Sequence, residues 1–320
     1  GRIDAQVAID GQAARPTTTA TVRGRGILIG GDETPGSFDL TLSQKSGEDA
    51  LARLDAQRLG ARLRLDVPRL PVRVDLVERG LRWRPEERHT VTLVLRDFDL
   101  WRQLGSVLPG NKYYGRIEVD GGIDGPMTEP ALQLRVTGEG LRARDAQLGD
   151  LRADLKLGHR LATLDVALRG ELIASGKLHA EVPLRIAPAR GELAWLKDQP
   201  HVLDAKVERF DLTRLKALGV TARLDGIVDV HAKVGGPMHA PQIELSAGVK
   251  DFVWKNRPVG NIHADLSYRA GRAELALRST VGRGTVDGRA SAPIAVDLGR
   301  GKFAWDQNGQ SEVELRVDGL

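Results

Sequence analysis

Apolar and polar residues take turns along most of this chain. In "ALQLRVTGEG" from Ala131, Leu132, Leu134 and Val136 share one side, and Gln133 and Arg135 fall on the other. Ala153, Leu155 and Leu157 alternate with Arg152, Asp154 and Lys156; Ile262, Ala264 and Leu266 alternate with His263 and Asp265. A period of two sends successive side chains to opposite faces, so each run predicts a strand with one apolar and one charged face. Gly, Pro, Asp or Asn punctuates the runs about every 10–13 residues. Only two segments read as helical, "DLWRQLG" from Asp99 and "DLTRLKALG" from Asp211. Each begins with an Asp placed to cap a first turn.

The pattern repeats. "GRIEVDGGIDGPMTEPALQL" from Gly115 lies without a gap over "GIVDVHAKVGGPMHAPQIEL" from Gly226. Downstream, "LGDLRADL" from Leu148 lies over "VGNIHADL" from Val259 at the same shift of 111 residues. "GRIDAQVAIDGQAARP" from Gly1 is a third copy of the start. Trp83, Trp195 and Trp305 mark the end of each copy in "GLRW", "GELAW" and "GKFAW". These matches predict three units of about 110 residues, 1–114, 115–225 and an incomplete 226–320, each with roughly eight strands, mostly paired with their sequence neighbours.

An antiparallel sheet with one apolar face has to cover it. A closed barrel or two-sheet sandwich in each unit would do so. So would one continuous sheet, bent along its length, whose apolar side holds something else. No Ser/Pro-rich tract separates the units, which favours continuity. The expected fold is therefore all-β, an elongated continuous antiparallel sheet curved into a half-open hydrophobic trough. Gly-Pro-Met-x-x-Pro, at Gly125 and Gly236, reads as a corner between strands. Its prolines lack an N–H and restrict φ, and it carries no nucleophile, base or metal ligand.

Composition adds exclusions. There is no Cys, so disulfides and thiolate metal sites are out. The formal charge of +4 is spread along the chain, and no basic tract is interleaved with aromatics, so nucleic acid is not an expected partner. No stretch reads as a signal peptide or a membrane span, and the start at Gly1 reads as a fragment of something longer. The seven His (His89, His159, His179, His201, His231, His239 and His263) show no H-x-x-x-H or H-x-H spacing with carboxylates, and are read as not recurring in register. "VRGRGILIGG" lacks the helix and Lys of a phosphate cradle, and no Ser sits in G-x-S-x-G. The expectation is a protein that is not an enzyme and needs no metal or cofactor. The recurring Trp read as core or rim anchors.

With the repeats laid out, the chain resembles the TamB family of the AsmA-like group. The resemblance rests on "FDLWRQLGSVLPGNKYYGRIEVDGGIDGPMTEPALQL" from Phe98, "GDLRADL" from Gly149, "ASGKLHAEVPLRI" from Ala174 and their recurrence from Phe210. It implies a body folded as a β-taco, anchored by an N-terminal helix in the inner membrane of a Gram-negative bacterium and crossing the periplasm. It implies phospholipid moving in the groove towards the outer membrane, membranes at both ends of the full-length protein, and an Omp85-class barrel partner reached through regions outside this chain.

The groove-lining candidates are Leu132, Leu134, Val136, Leu155, Leu157, Leu164 and Val166, with Ile243, Leu245, Leu266, Leu275 and Leu277 in the following unit. A uniform apolar lining offers each acyl CH₂ a similar gain of about 0.8 kcal/mol, so a chain slides without a deep trap. Two other readings stay open: a scaffold or chaperone for outer-membrane protein assembly, and an adhesin of β-sandwich repeats.

Overall fold

The structure, a computed structural model, describes every residue except 14, 29–34, 47, 71, 76–79, 105–112, 145, 159, 219, 221, 307–308 and 320. His159 and Gly105 of the first helical segment lie outside the described residues. The strands are β1 (Arg2–Gln12), β2 (Arg15–Ile27), β3 (Gly36–Gln44), β4 (Ala50–Arg58), β5 (Ala61–Leu70), β6 (Val72–Asp75), β7 (Gly80–Trp83) and β8 (Arg88–Asp99), then helix α1 (Leu100–Leu104). They continue with β9 (Tyr113–Pro126), β10 (Ala131–Ala143), β11 (Ala146–Gly158), β12 (Leu161–Arg169), β13 (Ile173–Ala187), β14 (Glu192–Trp195) and β15 (His201–Asp211). After a 3₁₀ segment (Leu212–Leu218) come β16 (Leu224–Gly236), β17 (Gln242–Trp254), β18 (Arg257–Arg269), β19 (Arg272–Val281), β20 (Gly284–Asp297), β21 (Lys302–Trp305) and β22 (Glu312–Asp318).

Twenty strands form one antiparallel sheet that is not closed into a barrel, and β6–β7 is a separate hairpin. The chain divides into two compact units: one of 1–141, 152–160 and 185–194, the other of 142–151, 161–184 and 195–320. Their limits do not coincide with the sequence repeats. No helix is long and apolar enough to cross a membrane.

From β9 onward each repeat has seven strands, where the punctuation predicts about eight. The difference lies in one long strand that serves two partners. Thr285–Ser291 of β20 pairs with β22, and Ile294–Asp297 pairs with β21. A strand that bends between two partners leaves no turn residue to count. Both predicted helical segments are there, and both are short. Asp99 Oδ1 accepts from the Arg102 N–H, and Asp211 Oδ1 accepts from the Thr213 N–H, so each Asp fills an orphan donor of a first turn. Just before each, a residue at positive φ, Asp97 and Arg209, sits in a bulge that shifts the β8–β9 and β15–β16 registers.

The Gly-Pro-Met corners are structural. Glu129 N–H donates to Pro126 O and Ala240 N–H to Pro237 O, each at 3.0 Å, closing the same turn twice. Met127 N–H donates to Pro85 O and Met127 O accepts from Ala189 N–H. In the other unit Met238 N–H donates to Lys197 O and Met238 O accepts from Leu298 N–H. The main chain of each Met thus clips together the two segments that flank it.

Candidate functional site: an open apolar face

Cross-strand register decides which side chains share a face. In the second unit one ladder runs Val166–Leu178–Ala205–Ala232–Leu245–Leu266–Leu275–Ala290–Val313, from β12 to β22. A parallel ladder runs Leu164–Ala180–Leu203–Val234–Ile243–Tyr268–Ala273–Ala292. A third holds Leu168, Gly176, Val207, Val230, Ala247, Ala264, Leu277, Gly288 and Leu315. All three lie on one face. At about 4.8 Å per strand, the first extends about 38 Å without a charged residue.

The first unit has the same arrangement. Ala5–Val22–Leu40–Leu54–Leu65–Leu93–Gly121 crosses β1 to β9. Leu134 continues it, since a Cβ on Gly121 would meet Leu134 Cδ1 at 2.7 Å. The ion pair of Arg135 with Asp154 fixes the outer face of β10 and β11, which puts Leu132, Leu134, Val136, Leu155 and Leu157 on the apolar side. The structure therefore brings Leu164, Val166, Ile243, Leu245, Leu266, Leu275 and Leu277 onto one face of the second unit and the other five candidates onto one face of the first.

These residues are mostly half-buried. Leu157 is buried, and Leu275 and Leu277 are exposed. In the first unit Phe38, Leu63, Leu95 and Phe98 line an apolar pocket of about 230 Å³, bounded by Gln103 of α1, whose Nε2–H donates to Arg58 O at 2.8 Å.

The opposite face is a charge lattice. The ladder next to Val166–Val313 reads Asp165–His179–Asp204–Lys233–Glu244–Ser267–Glu274–Ser291–Glu312. Asp165 bonds His179 Nδ1 at 2.7 Å and raises the imidazole above its ordinary value. Arg152 and Arg135 both reach Asp154 and hold its carboxyl low, and Arg96 does the same to Asp120. A cleft of about 970 Å³ on this face lies among His231, Lys233, Glu244, Arg272, Glu274 and Arg289. Its charges alternate in sign, and no cluster of three His, Asp or Glu among the described residues can hold a metal ion.

One feature that the sequence reading missed is a Trp–His pair. His89 and His201 do recur in register, each six residues after the unit's Trp, and both are buried, at 0% and 7% exposure. His201 Nε2 accepts the indole N–H of Trp195, with the rings edge to face at 5.7 Å. His89 Nδ1–H donates to Glu87 O at 2.7 Å. Trp195 and Trp305 are exposed, so they belong to the rim rather than the core.

No family model, curated protein or solved structure matches this chain.

Proposed function

We propose that the chain is a non-enzymatic section of a phospholipid conduit, its apolar face holding acyl chains while the ion-paired face meets water. The observation that supports this is the uncharged ladder Val166–Val313, half-buried to exposed over nine strands of one unit. A sheet face that only stabilised a fold would be covered by a second layer. An apolar ladder of uniform character removes acyl CH₂ groups from water at about 0.8 kcal/mol each, and no side chain on it anchors a headgroup, which suits passage better than storage. With the TamB-like pattern, this reading places the chain in the periplasm. There it would serve outer-membrane biogenesis as part of a longer protein that meets both membranes and an Omp85-class barrel.

Mass spectrometry of organic extracts from the purified, detergent-free protein tests this. Phospholipid at one or more molecules per chain supports it. Lipid-free protein carrying bound peptide instead would replace it with the scaffold reading.

A further inference from the structure

The charged face of the first unit holds a row of donors without a carboxylate. Cross-strand register runs Arg25–Ser37–Gln57–Arg62–Arg96 over β2, β3, β4, β5 and β8, each of which has a neighbour strand on both sides. Every one of these side chains can donate a hydrogen bond, and none is acidic. They line a cleft of about 530 Å³.

The acids around this cleft are already taken. Arg23 donates to Asp39 at 3.1 Å and Arg64 to Asp55 at 2.7 Å. Arg62 reaches Asp97 at 2.8 Å, and Arg96 pairs with Asp120. Arg25 is left over. Among the described residues neither its guanidinium nor the side chains of Ser37 and Gln57 have a hydrogen-bond or ion-pair partner. The repeat gives the reason. Gly26, at φ +63°, sits in a bulge that shifts the β2–β3 register, and Gly140 and Asp251 hold the matching places at +57° and +52°. The residue before the bulge is Arg25, Glu139 or Lys250. Lys250 lies 4.0 Å from Asp229, whereas in the first repeat the matching Asp4 is taken by Arg2 at 2.8 Å. The bulge belongs to the architecture, but the unpaired cation belongs to this repeat.

We propose that Arg25, Ser37 and Gln57 bind a phosphate-class anion in this cleft. A guanidinium is a planar fork that matches two oxygens of such a group, and the Ser37 hydroxyl and the Gln57 amide supply donors for the others. The three side chains stand on successive strands about 4.8 Å apart, within reach of one tetrahedral anion seated over β3. Arg62 and Arg96 continue the row and add positive potential on one side. A row that served only solvation would mix carboxylates among its donors, as Asp165–His179–Asp204–Lys233–Glu244 does in the second unit. The anion is either free phosphate or the phosphate of a lipid headgroup. The site rests on the charged face alone, independent of what the apolar face carries.

Calorimetric titration with inorganic phosphate, at an ionic strength held constant with chloride, tests this. The unmodified chain binds phosphate saturably. Arg25→Gln weakens binding about tenfold or more, and Ser37→Ala and Gln57→Ala each weaken it about fivefold. Arg25→Lys keeps the charge but not the fork, and falls between the parent chain and Arg25→Gln. Arg278→Gln, the same charge change on the charged face of the second unit, leaves binding intact. Far-UV circular dichroism confirms that each variant keeps its sheet, since all four positions are exposed. Flotation with phosphatidylglycerol vesicles separates the two sources. Flotation that both free phosphate and Arg25→Gln abolish assigns the site to a lipid headgroup; flotation that ignores Arg25, or none, assigns it to free phosphate. Heat that never saturates overturns the inference. So does binding that survives Arg25→Gln, or an equal loss in Arg278→Gln.

Discussion

Trp195 donates its indole N–H to Nε2 of His201, and across the β15–β16 ladder His201 pairs with Gly236, the glycine of the Gly-Pro-Met corner. His89 pairs with Gly125, the glycine of the other corner, in the same way. Buried His, corner glycine and main-chain clip therefore form one joint, built twice. His201→Ala removes the acceptor and leaves the indole N–H to find water, costing about 1–3 kcal/mol of stability. Trp195→Phe removes the donor and leaves Nε2 of the buried His201 unpaired, also costing about 1–3 kcal/mol. Urea denaturation of both single variants and the double gives a coupling energy. A coupling near zero would mean the bond contributes nothing.

The strands, their faces and the repeat were legible because period two is written directly in residues such as Leu132–Arg135 and Ile262–Asp265. The double duty of β20 was not legible: Ser291 and Ile294 sit in one apolar–polar run, and only pairing shows that they face different partners. The Trp–His joint could have been found. His89 and His201 are spaced 112 residues apart, as are Trp83 and Trp195. A search confined to metal-ligand spacings passes over it, and the third unit hides it by carrying Ser311 at the matching place. The Met main-chain clips had no signal beyond the conspicuous hexapeptide itself.

Gly149 and Gly260 hold matching places in their repeats, with φ at +91° and +104°. A Cβ on Gly260 would stand 1.8 Å from Thr280 O, and one on Gly149 1.9 Å from Arg169 O. Alanine at either position forces apart two neighbouring strands and is expected to cost about 2–4 kcal/mol. Gly271→Ala, also at positive φ but with nothing near its Cβ, should cost about 1 kcal/mol. Thermal or urea melts that rank Gly271→Ala as the most damaging would contradict the close approach.

The charged face makes stability depend on pH from both sides. Hydrogen bonds from Arg152 and Arg135 to Asp154, and from Arg96 to Asp120, hold these carboxyls below their unfolded value near 3.8. In this range the unfolded chain binds more protons, so the contribution is full above about pH 4 and is lost as pH falls through the depressed folded values. His179 has the opposite sign. Its value is raised by the hydrogen bond to Asp165, so its contribution is full below about pH 6.5 and fades as pH rises through the raised folded value. Urea midpoints measured from pH 2 to 9 should fall steeply below 4 and gently above neutrality. Asp154→Asn should lower the plateau and flatten the acid limb, and added salt should weaken the whole dependence because these groups are exposed.

The apolar face itself gives the sharpest contrast. Leu134 and Leu245 lie on it in separate units, and both are half-buried. In a closed core, arginine at either place would bury an unpaired charge and unfold the unit. On an open face its long stem can lie along the neighbours while the guanidinium reaches water. Leu134→Arg and Leu245→Arg are therefore expected to melt within a few degrees of the parent chain, like the charged-face control Gln133→Arg. Their effect should appear in cargo instead: a charge placed among acyl chains is costly, so both should lose most of the co-purifying phospholipid, while Gln133→Arg keeps it. Unfolding of the two lining variants would show a closed core. Folded variants with undiminished lipid would move the acyl chains off this face.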